Sequence, residues 1–142
     1  MDGFSHVFPM TVRARDIDAW GHVNNAVYFT YLESARIDYL RRVVFPDAGS
    51  DLVDMSTILA EVMCQYRKPI FFGQAVEIGT RITVIGNTSI KLEHQINADR
   101  ELAATATAVW VYYDYQAGQS VRVPDEFRRR VQAFAAMKKT TD

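Results

Sequence analysis

The chain of 142 residues carries 16 basic and 17 acidic side chains, a formal net charge of -1, with 49% hydrophobic and 23% charged residues. This length is close to one domain and long enough to bury a core without disulfides or a structural metal, and the composition excludes a disordered chain. The balanced charge gives no reason to expect nucleic acid or membrane as a partner, and the single cysteine, Cys64, forms no internal disulfide and fits a reducing compartment. Residues 1–6 lack the basic start and apolar stretch of a secretory signal, and no apolar run approaches the length of a bilayer span. A cytoplasmic location is the expectation.

Residues 7–14 read as a short strand, with Pro9 placing it at an edge or start. Residues 15–25 mix Asp, Gly and Asn too densely for a regular element and form a structured loop. Over 26–44, Tyr28, Leu32, Ala35, Tyr39 and Val43 recur at helical spacing, and Phe29, Ile37 and Leu40 broaden the apolar surface. Such a helix needs cover on several sides. Asn24 or Asn25 supplies its N-cap, and residues 45–51 end it in a loop.

The remainder is mostly strand. Residues 56–68 form one, stopped by Pro69; residues 75–85 form another, with Val76, Ile78, Ile82 and Val84 on one face. After a tight turn at Gly86-Asn87, Ile90, Leu92, His94 and Ile96 share a face, and 98–101 turn again. In the strand over 102–115, Ala104, Ala106 and Ala108 lie in register and leave room for a helix to approach closely. A terminal helix from Pro124 to about Met137 carries Phe127, Val131 and Phe134 as its stripe. One sheet wrapped around one long helix, an α+β arrangement in a single domain over 1–142, covers the apolar helix most economically.

The chemistry concentrates in Asp16-Ile17-Asp18-Ala19-Trp20-Gly21-His22-Val23-Asn24-Asn25, an acid a few residues ahead of a helix start with a glycine between. Free N–H groups at a helix N-terminus suit the oxyanion that develops in acyl transfer, and a nearby carboxylate can attack the acyl carbon or deprotonate water. A capped helix start with both acids in turn hydrogen bonds explains the same spacing.

The string from Asp18 to Tyr28, continuing through Tyr31-Leu32-Glu33-Ser34-Ala35-Arg36, resembles the signature of the 4-hydroxybenzoyl-CoA thioesterase family of hotdog proteins. Tyr66-Arg67-Lys68-Pro69-Ile70 looks like that family's Tyr-x-x-Pro-Ile segment, and residues 85–89 like its turn between long strands. The resemblance implies a hotdog fold, a long helix wrapped by an antiparallel sheet with a short C-terminal helix. It makes Asp18 the catalytic carboxylate and the Asn25 N–H the group that polarises the thioester carbonyl. Gly21, His22 and Asn24 would shape the site, with Tyr28 among the substrate-binding residues, and Asp16 would hold the loop. The implied substrate is an acyl-CoA, and the implied assembly a homodimer that can pair into a tetramer. Gln74, where the family often has Asp, and Ala14-Arg15 ahead of the acids depart from the pattern.

Other residues have plainer readings. Glu33 and Arg36, three apart on the helix, are expected to form an ion pair. Arg67 and Lys68, near a strand end, are candidates to meet the CoA nucleotide. The runs Arg128-Arg129-Arg130 and Lys138-Lys139 are read as a solvated helix face. His94 is expected in the core or an interface, and Cys64 as a small buried hydrophobe. His6, His22, His94 and Cys64 show no metal spacing, so neither metal nor redox cofactor is expected. The function expected is hydrolysis of an acyl-CoA to a carboxylic acid and CoA. Acyl-carrier-protein thioesterase, non-catalytic acyl-CoA binder and hotdog dehydratase are the alternatives.

Overall fold

The computed structural model describes residues 1–47 and 56–141, with side chains to 137. In chain order the elements are β1 (His6–Thr11), a 3-10 turn (Ala14–Asp16), α1 (Val27–Tyr39), a π turn (Leu40–Val44), β2 (Thr57–Tyr66), β3 (Ala75–Ile85), β4 (Ser89–Ala98), β5 (Glu101–Asp114), β6 (Gln119–Ser120) and α2 (Asp125–Thr141). The strands form an antiparallel sheet in the order β1-β3-β4-β5-β2, with β6 paired to the end of β5.

Period-two alternation in β4 buries Ile90, Leu92, His94, Ile96 and Ala98 on one face. On β5 Ala103, Ala104 and Ala106 are buried, and their small side chains leave the volume that α1 fills with Tyr31, Leu32 and Ala35, while Ala108 is buried against the next turn of the chain, with Tyr39 and Leu40. A second cluster, under the π turn and α2, joins Tyr39, Leu40 and Val43 to Leu92, Trp110, Phe127 and Val131. Truncating a fully buried member such as Leu32 to alanine costs about 2–5 kcal/mol, since the space left behind cannot collapse fully.

Several local expectations change. The first strand ends at Thr11 rather than residue 14, because the Arg13 and Asp16 backbones and the Asp16 carboxylate bond one another and wind 14–16 into the 3-10 turn. Regular helix stops at Tyr39, and the expected continuation to 44 is a wider turn closed by Phe45 N–H on the Leu40 carbonyl, 2.8 Å. β2 ends at Tyr66 because the N–H groups of Arg67 and Lys68 both turn to the Ala103 carbonyl. Val84 leaves the face it was assigned. The register slips between Ile82 and Val84, which pair with Leu92 and Lys91, so the extra residue inverts the alternation and leaves Val84 52% exposed. Of the loop expected over 45–51, residues 48–51 lie outside the described residues.

Charged residues differ too. No Glu33–Arg36 ion pair forms: Arg36 turns under α1 and is buried, while Glu33 stays exposed. Arg128 and Arg130 are not merely solvated. Arg128 donates to the carbonyls of Gly86 (2.7 Å) and Val123 (3.2 Å), and Arg130 to that of Val44, so α2 is tied to the β3–β4 turn and to the end of the π turn. Arg129 does stay exposed, paired with Glu126, and the side chains of Lys138 and Lys139 lie outside those described. His94 is buried as expected, and Cys64 is half-buried.

Candidate active site

The loop before α1 is held from both ends. An isolated bridge joins Ile17 to Val23, Asp18 N–H bonds the His22 carbonyl at 3.0 Å, and Gly21 N–H bonds the Asp18 carbonyl at 3.1 Å. That tight turn needs the positive φ of 86° at Gly21, a conformation glycine adopts without steric cost. Asn24 N–H reaches the Asp16 carbonyl, and Val23 N–H reaches the Ile70 carbonyl, which seats the loop against the segment following β2. Asp16 sits at the centre, 1% exposed. Its carboxylate accepts from Arg13 N–H (2.9 Å), the Arg13 guanidinium (3.0 Å) and Tyr31 Oη (2.7 Å). Burial pushes this carboxyl up, but those hydrogen bonds together outweigh it and hold the group below its ordinary range. Asp16 is a structural pin, as its assigned role in holding the loop requires.

Asp18 is differently placed. Its side chain is 13% exposed, with Oδ2 4.0 Å from His22 Nδ1, and Oδ1 accepts the Trp20 N–H at 2.9 Å. His22 Nδ1 also lies 3.2 Å from the Val23 carbonyl. The helix start is capped differently from the sequence expectation. α1 begins at Val27 with Ala26 as its cap, and Asn24 acts two residues ahead of it, its Oδ1 taking the Ala26 N–H (2.9 Å) and its carbonyl the Val27 N–H. The Asn25 N–H has no hydrogen-bond partner among the described residues. It is the kind of free donor that a helix start leaves available to a ligand.

A cleft of about 240 Å³ is lined by Asn25 with His22, Tyr28, Tyr66, Arg67 and Lys68 among others. The fold thus brings together five of the residues singled out in the sequence, from two segments some forty positions apart in the chain. Gly21 and Asn24 belong to the adjoining loop and shape it, and Asp18 stands on that loop without lining the cleft itself. Tyr28 is 2% exposed, and burial, with Cys64 and Tyr66 close by, pushes its phenol up to about 12, so it stays neutral.

Tyr66 was not anticipated as a site residue. Its Oη donates to the Asn25 carbonyl at 2.7 Å and its ring meets Tyr28 edge-on at 4.8 Å, so it braces the peptide next to the free N–H. The signal lay in its place ahead of Pro69 in the Tyr-x-x-Pro run. Arg67 and Lys68 stand at the cleft wall but already have partners, Gln65 at 2.8 Å and Glu101 at 2.7 Å, which an anion would have to compete with. Gln74, the departure noted above, closes its own turn: Oε1 accepts the Phe71 N–H (2.8 Å) and Nε2 donates to Asp99 (3.2 Å). No cluster of three or more metal-ligating side chains occurs among the described residues.

A free N–H, a cleft lined by its residue and a carboxylate on the neighbouring loop are parts that acyl transfer uses. Residues 12–131 match the family model of the thioesterase-like superfamily. The chain belongs to that superfamily. A thioesterase of Thermus thermophilus, solved with coenzyme A and Zn, is 34% identical and superposes with a TM-score of 0.87 over 96% of this chain and 98% of that one. The acyl-CoA thioester hydrolase YbgC of Escherichia coli O157:H7 is 29% identical over 75% of this chain and 81% of its own. The chloroplastic acyl-acyl carrier protein thioesterase ATL3 of Arabidopsis thaliana is 26% identical over 91% of this chain and 68% of its own. The thioesterase-like chain described here therefore has the hotdog fold, its long α1 against a curled antiparallel sheet, and it is a thioester hydrolase.

Proposed function

We propose that this thioesterase hydrolyses acyl-CoA to a free carboxylic acid and CoA, with Asp18 as the driving carboxylate and the Asn25 N–H as the oxyanion donor. The observation that carries the reading is the unpartnered N–H of Asn25, a residue that lines a cleft, with Asp18 on the adjoining loop 13% exposed. A thioester carbonyl seated on that N–H develops negative charge as its carbon becomes tetrahedral, and a donor already in place stabilises that charge without reorganisation. Asp18 then acts as nucleophile, giving a mixed anhydride, or as general base toward water. Because a thioester is already activated, the reaction needs no redox cofactor. Arg67 and Lys68 at the cleft wall supply cationic groups for the CoA phosphates.

The CoA in the Thermus structure supports this substrate, and the plant relative keeps an acyl-carrier-protein substrate as the second reading. The proposed assembly is a homodimer. β2 is an edge strand, and it leaves Ile58 and Leu59 exposed at 42% and 41% and Met63 at 51%, a surface that a second copy would cover.

Asp18→Asn tests the proposal. The asparagine oxygen can still accept the Trp20 N–H, so thermal unfolding should be unchanged, while acyl-CoA hydrolysis, read as thiol release, should fall by about 10²–10⁴. Turnover near wild type removes Asp18 from its role. Matched CoA and carrier-protein thioesters of one chain length decide between the two substrates.

A further inference from the structure

Tyr66 is the last residue of β2, and the sheet fixes where its side chain starts. It pairs with Ala104 on β5, and the N–H groups of the next two residues both bond the Ala103 carbonyl. From there the ring crosses to the other segment of the cleft, meeting the ring of the buried Tyr28 edge-on at 4.8 Å. The hydroxyl ends 2.7 Å from the Asn25 carbonyl oxygen, to which it donates. Partial burial, with Cys64 close by, pushes this phenol up, so it keeps the proton it donates.

That bond changes how α1 begins. In a regular helix the Asn25 carbonyl would accept the N–H of Phe29, four residues on. Here the Phe29 N–H goes to the Ala26 carbonyl, 3.2 Å, and Tyr66 Oη is the one donor on the Asn25 carbonyl among the described residues. The peptide from Asn25 to Ala26 is thus held at both ends, its carbonyl by Tyr66 and its N–H by Asn24 Oδ1 at 2.9 Å. The peptide before it, from Asn24 to Asn25, has its carbonyl on the Val27 N–H at 2.9 Å and its own N–H open. Only the φ and ψ of Asn25 separate these two planar units. A clamp on the second plane therefore fixes the direction of the open N–H in the first.

We infer that Tyr66 is the positioning residue of the oxyanion donor: its hydroxyl keeps the Asn25 carbonyl out of α1 and so holds the Asn25 N–H in the orientation that leaves it free for substrate. The inference rests on the role proposed for that N–H. Without the hydroxyl, the Asn25 carbonyl can rotate onto the Phe29 N–H, which adds one bond to the helix and turns the neighbouring N–H with it. Substrate still binds through the rest of the cleft, so ground-state affinity is kept. What is lost is alignment on a charge that exists only in the transition state, and such a loss falls on kcat.

Tyr66→Phe on the full chain removes the hydroxyl and keeps the ring against Tyr28. The substrate is the fastest of acetyl-, hexanoyl-, palmitoyl- and benzoyl-CoA on the wild-type protein. Its kcat should fall by about 10–100-fold, short of the roughly 10²–10³ that loss of a whole oxyanion donor costs, while KM stays within about twofold. In an amide proton–nitrogen correlation spectrum without substrate, the Asn25 and Ala26 resonances should move and those of β5 should stay. Asn24→Ala releases the other end of the same peptide, so the double variant should be little slower than the slower single one. A kcat loss with KM retained, together with a moved Asn25 resonance, supports the inference. An unmoved resonance overturns it and leaves the reading of the Asn25 N–H standing. A moved resonance with kcat unchanged overturns it too, and takes the role of that N–H with it. A fall in kcat matched by a rise in KM, or losses that simply add in the double variant, would mean that Tyr66 only walls the cleft, and would also overturn it.

Discussion

Tyr31 Oη donates a 2.7 Å hydrogen bond to Asp16 Oδ2, which joins the first acid of the loop to the second turn of α1, fifteen residues away. Because Asp16 also takes the Arg13 N–H and guanidinium, its carboxylate is saturated and fixed. Asp18, two residues on, has a single backbone N–H bond on its carboxylate and keeps acceptor capacity. The two neighbouring acids therefore differ in the acceptor capacity they have left, which is what the proposed role of Asp18 draws on.

Tyr31→Phe should therefore cost about 1.5–3 kcal/mol in urea denaturation, the range for a hydrogen bond to a charged group. Its effect on hydrolysis should be smaller than that of Asp18→Asn, since the loop is loosened but no reacting group is lost. The sign for acid follows from the lowered carboxyl of Asp16. Its stabilising contribution is complete above the unfolded carboxylate range and disappears as pH falls through the lowered folded value. Asp16→Asn should be less stable at neutral pH and should flatten the acid limb of the curve. An unchanged acid limb would show that the pin carries no charge-dependent stability.

His94 predicts a second pH dependence, at higher pH. Burial, then the charge of Arg36, push its imidazole down to about 3, against 6.5 in the unfolded chain, and Thr80 Oγ1 lies 3.0 Å from its Nδ1. Between those values the unfolded chain binds a proton that the folded one refuses. Stability should then fall as pH drops from about 6.5 toward 3, by at most about 1.4 kcal/mol per pH unit. His94→Gln removes the titrating group. Chemical denaturation from pH 7 to 4.5 should show a shallower slope in this variant, and an identical slope would mean that His94 protonates freely in the fold.

What could be read beforehand divides by the range of the interaction. Strand faces and the alanine path on β5 follow from local period, and they matched wherever the ladder is regular. Val84 failed because one inserted residue inverts every side chain after it, and nothing local marks a bulge at Thr83. The turn at Leu40–Val44 was invisible for a similar reason, since its residues have the composition of ordinary helix. Glu33 and Arg36 have good pairing spacing, yet the burial of Arg36 is decided by packing under α1, a tertiary effect. The loop of Asp16 and Asp18 was legible through its motif as the segment that leads into α1. The bracing of Asn25 by Tyr66 was not, because the two residues meet only after β2 has been placed.

Gly21 lets backbone strain be separated from contact. A Cβ built there meets nothing within 4 Å, so any loss in Gly21→Ala comes from the φ of 86° rather than from a clash. That conformation costs an ordinary residue about 1–2 kcal/mol. Relief of the strain would shift the peptide whose N–H bonds the Asp18 carbonyl at 3.1 Å, and with it the aim of the carboxylate. With Asp18 in its proposed role, the expected outcome is a small drop in Tm and a much larger drop in kcat, because a misplaced reacting group is penalised steeply. Gly21→Asn is the control. Asparagine tolerates positive φ better than alanine, so it should recover a good part of kcat despite its larger side chain. If the asparagine variant is as slow as the alanine one, the glycine is required for room near the bound substrate and not for its backbone angle.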